Sequence, residues 1–137
     1  MLLVIDTNII VNAIKSPVEP DEEGNRGYSK SQQLIHDVLS GKHTMVVSTP
    51  IIAEYEDVLH RPYLKLNPIL VEKFLAIIKV KAIWIEPLPT TQHEVEMSDE
   101  DDRIFFDVAK CLKIKLVTRN LKHYPVHELR TSIDELY

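Results

Sequence analysis

The sequence predicts a three-layer α/β/α domain with a central parallel sheet of four or five strands. Short apolar runs rich in branched residues recur along the chain, as expected for buried parallel strands. Between these runs, apolar residues recur at helical spacing, and such alternation of strands and helices is typical of a sheet covered on both faces. No internal repeat or long linker divides the 137 residues. We therefore expect a single domain over residues 1–137.

The first half of the chain supplies two predicted strands and three predicted helices. Residues 1–5 form an apolar run that predicts a strand, and Asp6 follows it directly. The next elements are a short helix from Thr7, a loop at 16–28 rich in Pro, Gly and acids, a helix at 29–39 and a strand at 44–47. A third helix then begins with Thr49 as its N-cap and Pro50 in its first turn, and it ends before Pro62.

The second half repeats the alternation. Its predicted elements are a helix at 68–79, a strand at 82–85, a helix that starts near Ser98 and a strand at 114–117. In the helix that starts near Ser98, Cys111 fits the apolar side and is expected to be a small core residue, whereas Asp107 is expected to be exposed. The pattern of residues 126–137 predicts no particular element.

Composition and charge narrow the functional classes. The net charge of −5 argues against a broad basic surface for nucleic acid, but an acidic metal site is itself negative until the ion binds, so RNA is not excluded. The single cysteine permits no intrachain disulfide and suits a reducing compartment. No apolar run approaches the roughly 20 residues that span a bilayer. The start of the chain lacks a basic region and is interrupted at Asp6, so we expect no signal peptide, no membrane association and a cytoplasmic location.

Several oxygen-bearing side chains are predicted to lie near strand ends or helix starts. They are Asp6 after the first strand, Glu54 on the helix after the second strand, Asp99, Asp101 and Asp102 at the start of a helix, and Asn120 after the fourth strand. Ligands of open parallel sheets bind outside the carboxyl ends of the strands. Carboxylates brought together there repel one another, and a divalent cation removes that repulsion. Oxygen ligands favour Mg²⁺ or Mn²⁺ over zinc.

Such a carboxylate site supports metal-dependent hydrolysis of phosphodiester bonds by a metal-activated water. Positive groups beside it, Arg119, Lys122 and His123, suit the phosphate backbone of RNA. Ordinary solvated surface explains these three residues equally well. His123 and His127 are four residues apart, but Pro125 between them disfavours a regular helix that would place both on one metal ion.

Four segments of the chain together resemble the PIN domain, a family of small α/β nucleases. They are VIDTN at 4–8, Glu54, DDRIFFDVAK at 101–110 and LVTRN at 116–120. DEDDRIFFDVAK and TRNLKHYP are similar to a branch of VapC-like toxin components of toxin–antitoxin systems. The resemblance implies an endoribonuclease that uses Mg²⁺ or Mn²⁺ and binds a cognate antitoxin. Many relatives are homodimers, and the apolar helix face at 68–78 would be either an interface or core.

The resemblance also assigns the acids of the family. Its first acid corresponds to Asp6 and its second to Glu54. The third is either Asp101 or Asp102, and the usual distance of sixteen residues from Thr118 favours Asp102. These three acids would bind the metal and act in catalysis.

Neighbouring polar residues would support them. Asn8 corresponds to the residue that braces the first acid, and Thr118 would complete the rim of the site. The family often has a fourth acid where this chain has Asn120, a neutral oxygen ligand. Asp99, Asp101 and Asp107 are the acids that would compensate for its missing charge.

The same residues also fit simpler structural roles. Asp6 suits a helix N-cap, Glu54 suits a solvated helix position, and Ser98 with Asp101 fits a capping pair. A non-catalytic PIN-fold binding module is compatible with Asn120. A metal-dependent phosphatase of another α/β fold would need a second acid where the chain has Asn8, and a receiver domain would need further acids at the first strand.

Overall fold

Five parallel strands form one sheet in the computed structural model, which describes residues 1–15, 27–124 and 127–137. The predicted loop at 16–28 lies mostly outside the described residues. The strands are β1 (Leu2–Ile5), β2 (Thr44–Val47), β3 (Ile83–Trp84), β4 (Lys115–Thr118) and β5 (Arg130–Ser132). Their order in the sheet is β3-β2-β1-β4-β5, and every neighbouring pair is parallel. The predicted parallel sheet is therefore confirmed, and the tail supplies its fifth strand.

β1 lies at the centre of the sheet. Leu3 pairs with Met45 of β2 on one side and with Lys115 of β4 on the other. The chain first builds outward from β1 through β2 to β3, and then crosses to the opposite side of β1 to add β4 and β5. This reversal between β1 and β4 opens a crevice at their carboxyl ends, where α/β folds usually bind ligands.

Both faces of the sheet are covered. Leu3, Val4 and Ile5 are all fully buried. Successive side chains of a strand point to opposite faces, so a strand that is buried throughout has material on both sides. The three-layer arrangement follows from this burial.

Six α-helices cover the sheet within the described residues. They are α1 (Thr7–Lys15), α2 (Lys30–Leu39), α3 (Thr49–Leu59), α4 (Pro68–Lys81), α5 (Arg103–Leu112) and α6 (Ile133–Leu136). The helices predicted from apolar spacing are all present. Within the ranges that the structure covers, no helix combines the length and apolar composition that crossing a bilayer requires.

Two helix caps differ from the sequence-based expectation. Ser48, rather than Thr49, caps α3, because the Ser48 hydroxyl accepts a hydrogen bond from the backbone N–H of Ile51 at 3.3 Å. Thr49 is already helical, and its hydroxyl instead donates to Glu86 at 2.6 Å. The acidic turn before α5 is capped by Asp99, not by the predicted Ser98–Asp101 pair.

The apolar side of α4 is divided between core and surface. Val71, Phe74, Leu75 and Ile78 are buried in the core. Elsewhere on α4, Ile69, Leu70, Ile77 and Val80 are exposed. The helix thus contributes to the core and also presents apolar side chains to solvent.

The expected burial of Cys111 is wrong, because the residue is exposed. The buried stretch of α5 ends at Ala109, two residues earlier. Asp107, expected on the surface, is buried instead, and Thr90 donates to its carboxylate through its backbone N–H and its hydroxyl.

Candidate functional site

An open cavity of about 460 Å³ lies at the carboxyl ends of β1 and β4. Most of the predicted site residues line it, together with residues from α1, α3 and the turn after β4. Its polar lining includes Asp6, Asn8, Asn12, Lys15, Glu54, Tyr63, Asp99, Asp102, Arg119, Asn120 and His123. The topology therefore brings together side chains that are far apart in sequence.

Asp6 is the most firmly held of these acids. It is 6% exposed, and its Oδ2 accepts hydrogen bonds from the Thr118 hydroxyl at 2.9 Å, the Tyr124 hydroxyl at 3.0 Å and the Asn8 amide at 3.4 Å. Burial raises the pKa of Asp6 above its ordinary value, and these donors offset part of the rise. Asp6 is thus a carboxylate of fixed orientation, which is what a metal ligand requires.

A second set of hydrogen bonds ties the end of β4 to the start of α1. The side-chain amide oxygen of Asn8 accepts from the backbone N–H of Arg119 at 3.3 Å, and the Thr118 hydroxyl accepts from the backbone N–H of Asn120 at 3.0 Å. Asn8 therefore contacts both Asp6 and the segment that carries Asn120. Asn8 and Thr118 thus both contact Asp6, although a bracing contact was expected only of Asn8 and Thr118 was expected at the rim of the site.

Glu54 reaches the cavity from the second turn of α3. It is partly buried, and this burial is the main reason why its pKa is raised. Arg61 lowers the pKa of Glu54, whereas the charges of Asp101, Asp57 and Asp6 raise it. The carboxylate of Glu54 therefore lies within electrostatic reach of Asp6.

Asp102 reaches the cavity from the turn that precedes α5. Burial, followed by the charges of Asp6 and Asp99, raises the pKa of Asp102 to about 6. The side chain of His123 opposes this rise, with its Nδ1 at 3.1 Å from Oδ2 of Asp102. Asp101, the other candidate for the third acid, is exposed and does not line the cavity.

The remaining predicted residues differ in their placement. Asp99, Arg119 and Asn120 line the cavity, and Thr118 lies buried beneath it. Lys122 is exposed and is not part of the cavity lining. Of the three residues that the sequence predicted as contacts to the RNA backbone, Arg119 and His123 line the cavity and Lys122 does not.

Several residues of the site were not predicted from the sequence, among them Asn12, Lys15, Tyr63 and Tyr124, and His123 was predicted only as a contact to the RNA backbone. Tyr124 holds Asp6, His123 contacts Asp102, and Lys15 and Tyr63 line the cavity wall. Tyr63, His123 and Tyr124 come from irregular turns. Turns have no regular spacing of apolar residues from which the direction of a side chain could be predicted. The only signal in the sequence was the closeness of His123 and Tyr124 to the Thr118-Arg119-Asn120 segment.

The side chains of the cavity suit a divalent cation. Asp99, Asp102 and His123 each offer a ligand atom, and these atoms lie within 4.8 Å of one another. Thr7 also lines this cavity, and its Oγ1 is buried and has no hydrogen-bond partner among the described residues. Three carboxylates with raised pKa values and a neighbouring imidazole form a donor set that a bound ion would stabilise.

The chain belongs to the PIN domain family, whose profile matches residues 2–122. No curated protein matches the sequence. Among solved structures, the chain is similar to VapBC2 from Rickettsia felis, determined bound to a DNA fragment from the promoter. The similarity has a TM-score of 0.60 and a sequence identity of 17%, and it covers 96% of this chain and 98% of the other. At this identity the match defines the shared fold.

Proposed function

We propose that this protein is a divalent-metal-dependent endoribonuclease and the toxin component of a toxin–antitoxin pair. One observation carries the proposal. Asp6, Glu54 and Asp102 come from three separate elements, line one cavity, and the charge of Asp6 raises the pKa of both other acids. An arrangement that costs stability in this way is typical of a site built for a cation. Nuclease activity is common in the PIN domain family.

The carboxylates would hold Mg²⁺ or Mn²⁺ in the cavity. Asp6 would present a fixed carboxylate, because three side-chain donors hold its Oδ2. Glu54 and Asp102 would complete the anionic set, and Asn120 would add a neutral oxygen. A bound divalent ion supplies an activated water near neutral pH and neutralises charge on the phosphate.

The basic side chains of the cavity would position RNA. Lys15 and Arg119 lie on its wall beside the acids, so they would contact the phosphates that flank the cleaved bond. Lys122 would act farther out, because it lies outside the cavity lining. Tyr63 is 69% exposed and offers a flat ring on the same wall, suited to stacking against a base.

A cognate antitoxin is the proposed partner, and the action on RNA would take place in the cytoplasm. Support comes from the similar structure, which is a VapBC complex. The exposed apolar residues Ile69, Leu70, Ile77 and Val80 offer a surface on α4 for a second copy of the chain. These partners extend the proposal and are separate from the chemistry of the site.

A catalytically weak PIN-fold binding module is the second candidate. Asn120 favours it, because a neutral amide stands where many relatives have an acid. A phosphatase of another fold is disfavoured by Asn8, whose amide group donates to Asp6 and stands where the general acid would be needed.

The test is RNA cleavage by purified protein with Mn²⁺, Mg²⁺ or EDTA. Asp6→Asn and Glu54→Gln are compared with the wild type and with Asp134→Asn, whose side chain is 77% exposed in an ion pair with Lys30. We expect cleavage that needs metal, persists in Asp134→Asn, and falls by about 10²-fold or more in the two site variants. Equal cleavage by all four proteins would reject this site. Metal binding without cleavage of any RNA would favour the binding module.

A further inference from the structure

His123 reaches the candidate metal site from the short turn Leu121–His123, which follows β4. Its Nδ1 lies 3.1 Å from Oδ2 of Asp102. A carboxylate oxygen of Asp99 completes a group of three ligand atoms within 4.8 Å of one another. The imidazole therefore turns a nitrogen toward the carboxylates of the cavity.

The spacing between these atoms suits direct coordination of one ion. Two adjacent ligands of an octahedral ion with bonds of about 2.1 Å lie about 3 Å apart. The observed separation of 3.1 Å between His123 and Asp102 matches this value. A direct hydrogen bond between the two side chains has a similar length. The surrounding charge therefore has to distinguish coordination of an ion from a hydrogen bond.

Four carboxylates line the cavity against two basic side chains, Lys15 and Arg119, so the excess of acids is larger than one imidazole can balance. Asp102 experiences the charges of both Asp6 and Asp99, which raise its pKa. A single protonated histidine offers one positive charge to these three carboxylates, whereas a divalent ion offers two and binds several oxygens at once. Thr7, whose buried Oγ1 has no hydrogen-bond partner among the described residues, is a further polar residue of the same cavity.

We propose that His123 is a nitrogen ligand of the ion held by Asp99 and Asp102, and that this ligand selects Mn²⁺ over Mg²⁺. Imidazole suits transition metals, whereas Mg²⁺ prefers oxygen ligands. Asn120 is neutral, so it contributes less to the binding of an ion than an acid would at that place. The nitrogen of His123 adds a further ligand, and a transition ion gains more from it than Mg²⁺ does. The inference rests on the metal site of the proposed function and is independent of RNA cleavage.

Calorimetry on the full chain measures the effect, with Mn²⁺ and Mg²⁺ titrated separately and no RNA present. The variants are His123→Ala and, as the control, His93→Ala, which changes an exposed histidine outside the cavity. We expect His123→Ala to weaken Mn²⁺ binding about 10- to 100-fold and Mg²⁺ binding about threefold or less. A histidine that only orients Asp102 would weaken both ions by the same factor, and that result would overturn the proposal.

Pulsed electron paramagnetic resonance of bound Mn²⁺ supplies a second readout. We expect nitrogen modulation from a directly bound imidazole in the wild type and in His93→Ala, and its loss in His123→Ala. A wild type that binds Mn²⁺ without this modulation rejects His123 as a ligand, even if His123→Ala fails to fold. If nitrogen modulation is observed but no RNA is cleaved, His123 is still a metal ligand and the proposed nuclease activity is rejected. Absence of Mn²⁺ binding would reject both.

Discussion

The hydroxyl of Tyr124 donates a hydrogen bond to the carboxylate of Asp6 at 3.0 Å, across 118 positions of sequence. Both side chains are buried, Tyr124 to 1% and Asp6 to 6% exposure. The contact joins the end of the central strand to the turn after β4. The contact fixes the orientation of Asp6, which the other site residues surround. Asp6 therefore depends on Tyr124, a residue that carries neither an acidic nor a basic group.

Tyr124→Phe tests this contact directly. The substitution keeps the ring and removes one donor from a buried carboxylate, so we expect a loss of about 1–3 kcal/mol in the free energy of unfolding at neutral pH. Urea unfolding of the metal-free protein measures it. Tyr28→Phe, at a tyrosine that is 69% exposed, should leave stability within about 0.5 kcal/mol of the wild type. Equal stability of all three proteins would contradict the contact.

Asp102→Asn should stabilise the metal-free protein. The pKa of Asp102 is raised to about 6 from the ordinary value of 3.8, so ionisation is disfavoured in the folded state. Its contribution therefore lowers stability as the pH rises through the window from 3.8 to about 6. Asp102→Asn should not show this pH-dependent loss of stability. In EDTA, at a pH above this range, its free energy of unfolding should exceed that of the wild type by about 1 kcal/mol, after allowance for the partial exposure of Asp102.

The measurement is thermal unfolding in EDTA and in Mn²⁺ across that pH range. In Mn²⁺ the order should reverse, because only the wild type retains the ligand. Asp101→Asn is the matched control, since Asp101 is exposed and outside the cavity. If the wild type stays more stable than Asp102→Asn in EDTA, burial and the charges of Asp6 and Asp99 do not destabilise the ionised carboxylate of Asp102.

Arg103→Lys should loosen the segment that precedes α5. Arg103 is 7% exposed and donates to the Thr90 hydroxyl at 2.9 Å, to Gln92 at 2.6 Å and to Glu100 at 2.7 Å. Lysine retains the charge but cannot reproduce this branched set of donors. We expect a lower melting temperature and weaker Mn²⁺ binding, because Asp102 precedes Arg103 directly.

The control for this substitution is Lys110→Arg, an exposed exchange on the same helix. Calorimetry and thermal unfolding should leave Lys110→Arg close to the wild type. If Arg103→Lys changes stability but not Mn²⁺ affinity, the arginine supports the fold without positioning the site.

Tyr137→Phe should reduce stability in a pH-dependent way. The Tyr137 hydroxyl donates to Asp37, and this bond is the main reason why the pKa of Asp37 is lowered. A lowered pKa contributes stability that is present above the ordinary value of 3.8 and is lost as the pH falls through the folded-state value. The melting temperature of Tyr137→Phe should thus lie below that of the wild type at neutral pH, and the difference should shrink in acid.

Thermal unfolding from neutral pH down to about pH 2.5 would follow this loss. Tyr63→Phe, at a residue 69% exposed, provides the comparison. A difference that stays constant over the whole range would show that the Tyr137 hydroxyl affects stability independently of the ionisation of Asp37.

The sequence predicted the parts of the molecule that follow regular periods. Four of the five strands and the principal helices were predicted because β-branched runs and helical spacing reflect burial directly. Asp6 and Glu54 could be placed at the site because strand ends and the helices after them have known positions in a parallel sheet. Asp102 lines the cavity and Asp101 does not. This placement agrees with the choice of Asp102 as the third acid from its distance in sequence to Thr118.

The remaining features depend on contacts that no local pattern encodes. β5 is only three residues long and has no apolar alternation, so pairing with β4 alone defines it. Asp107 is buried because Thr90, seventeen residues earlier, donates to it. His123 and Tyr124 face the site because of how one irregular turn is oriented, and turn orientation is set by tertiary contacts.

The dependence of Asp6 on Thr118 and Tyr124 has a consequence for synthesis on the ribosome. Asp6 is translated before its hydroxyl donors, which follow more than a hundred positions later. The central strand also waits for β4 as one of its two neighbours. A nascent chain therefore carries the acids without the scaffold that aligns them. Alignment of these acids therefore waits until the segment that carries Thr118 and Tyr124 has emerged from the ribosome.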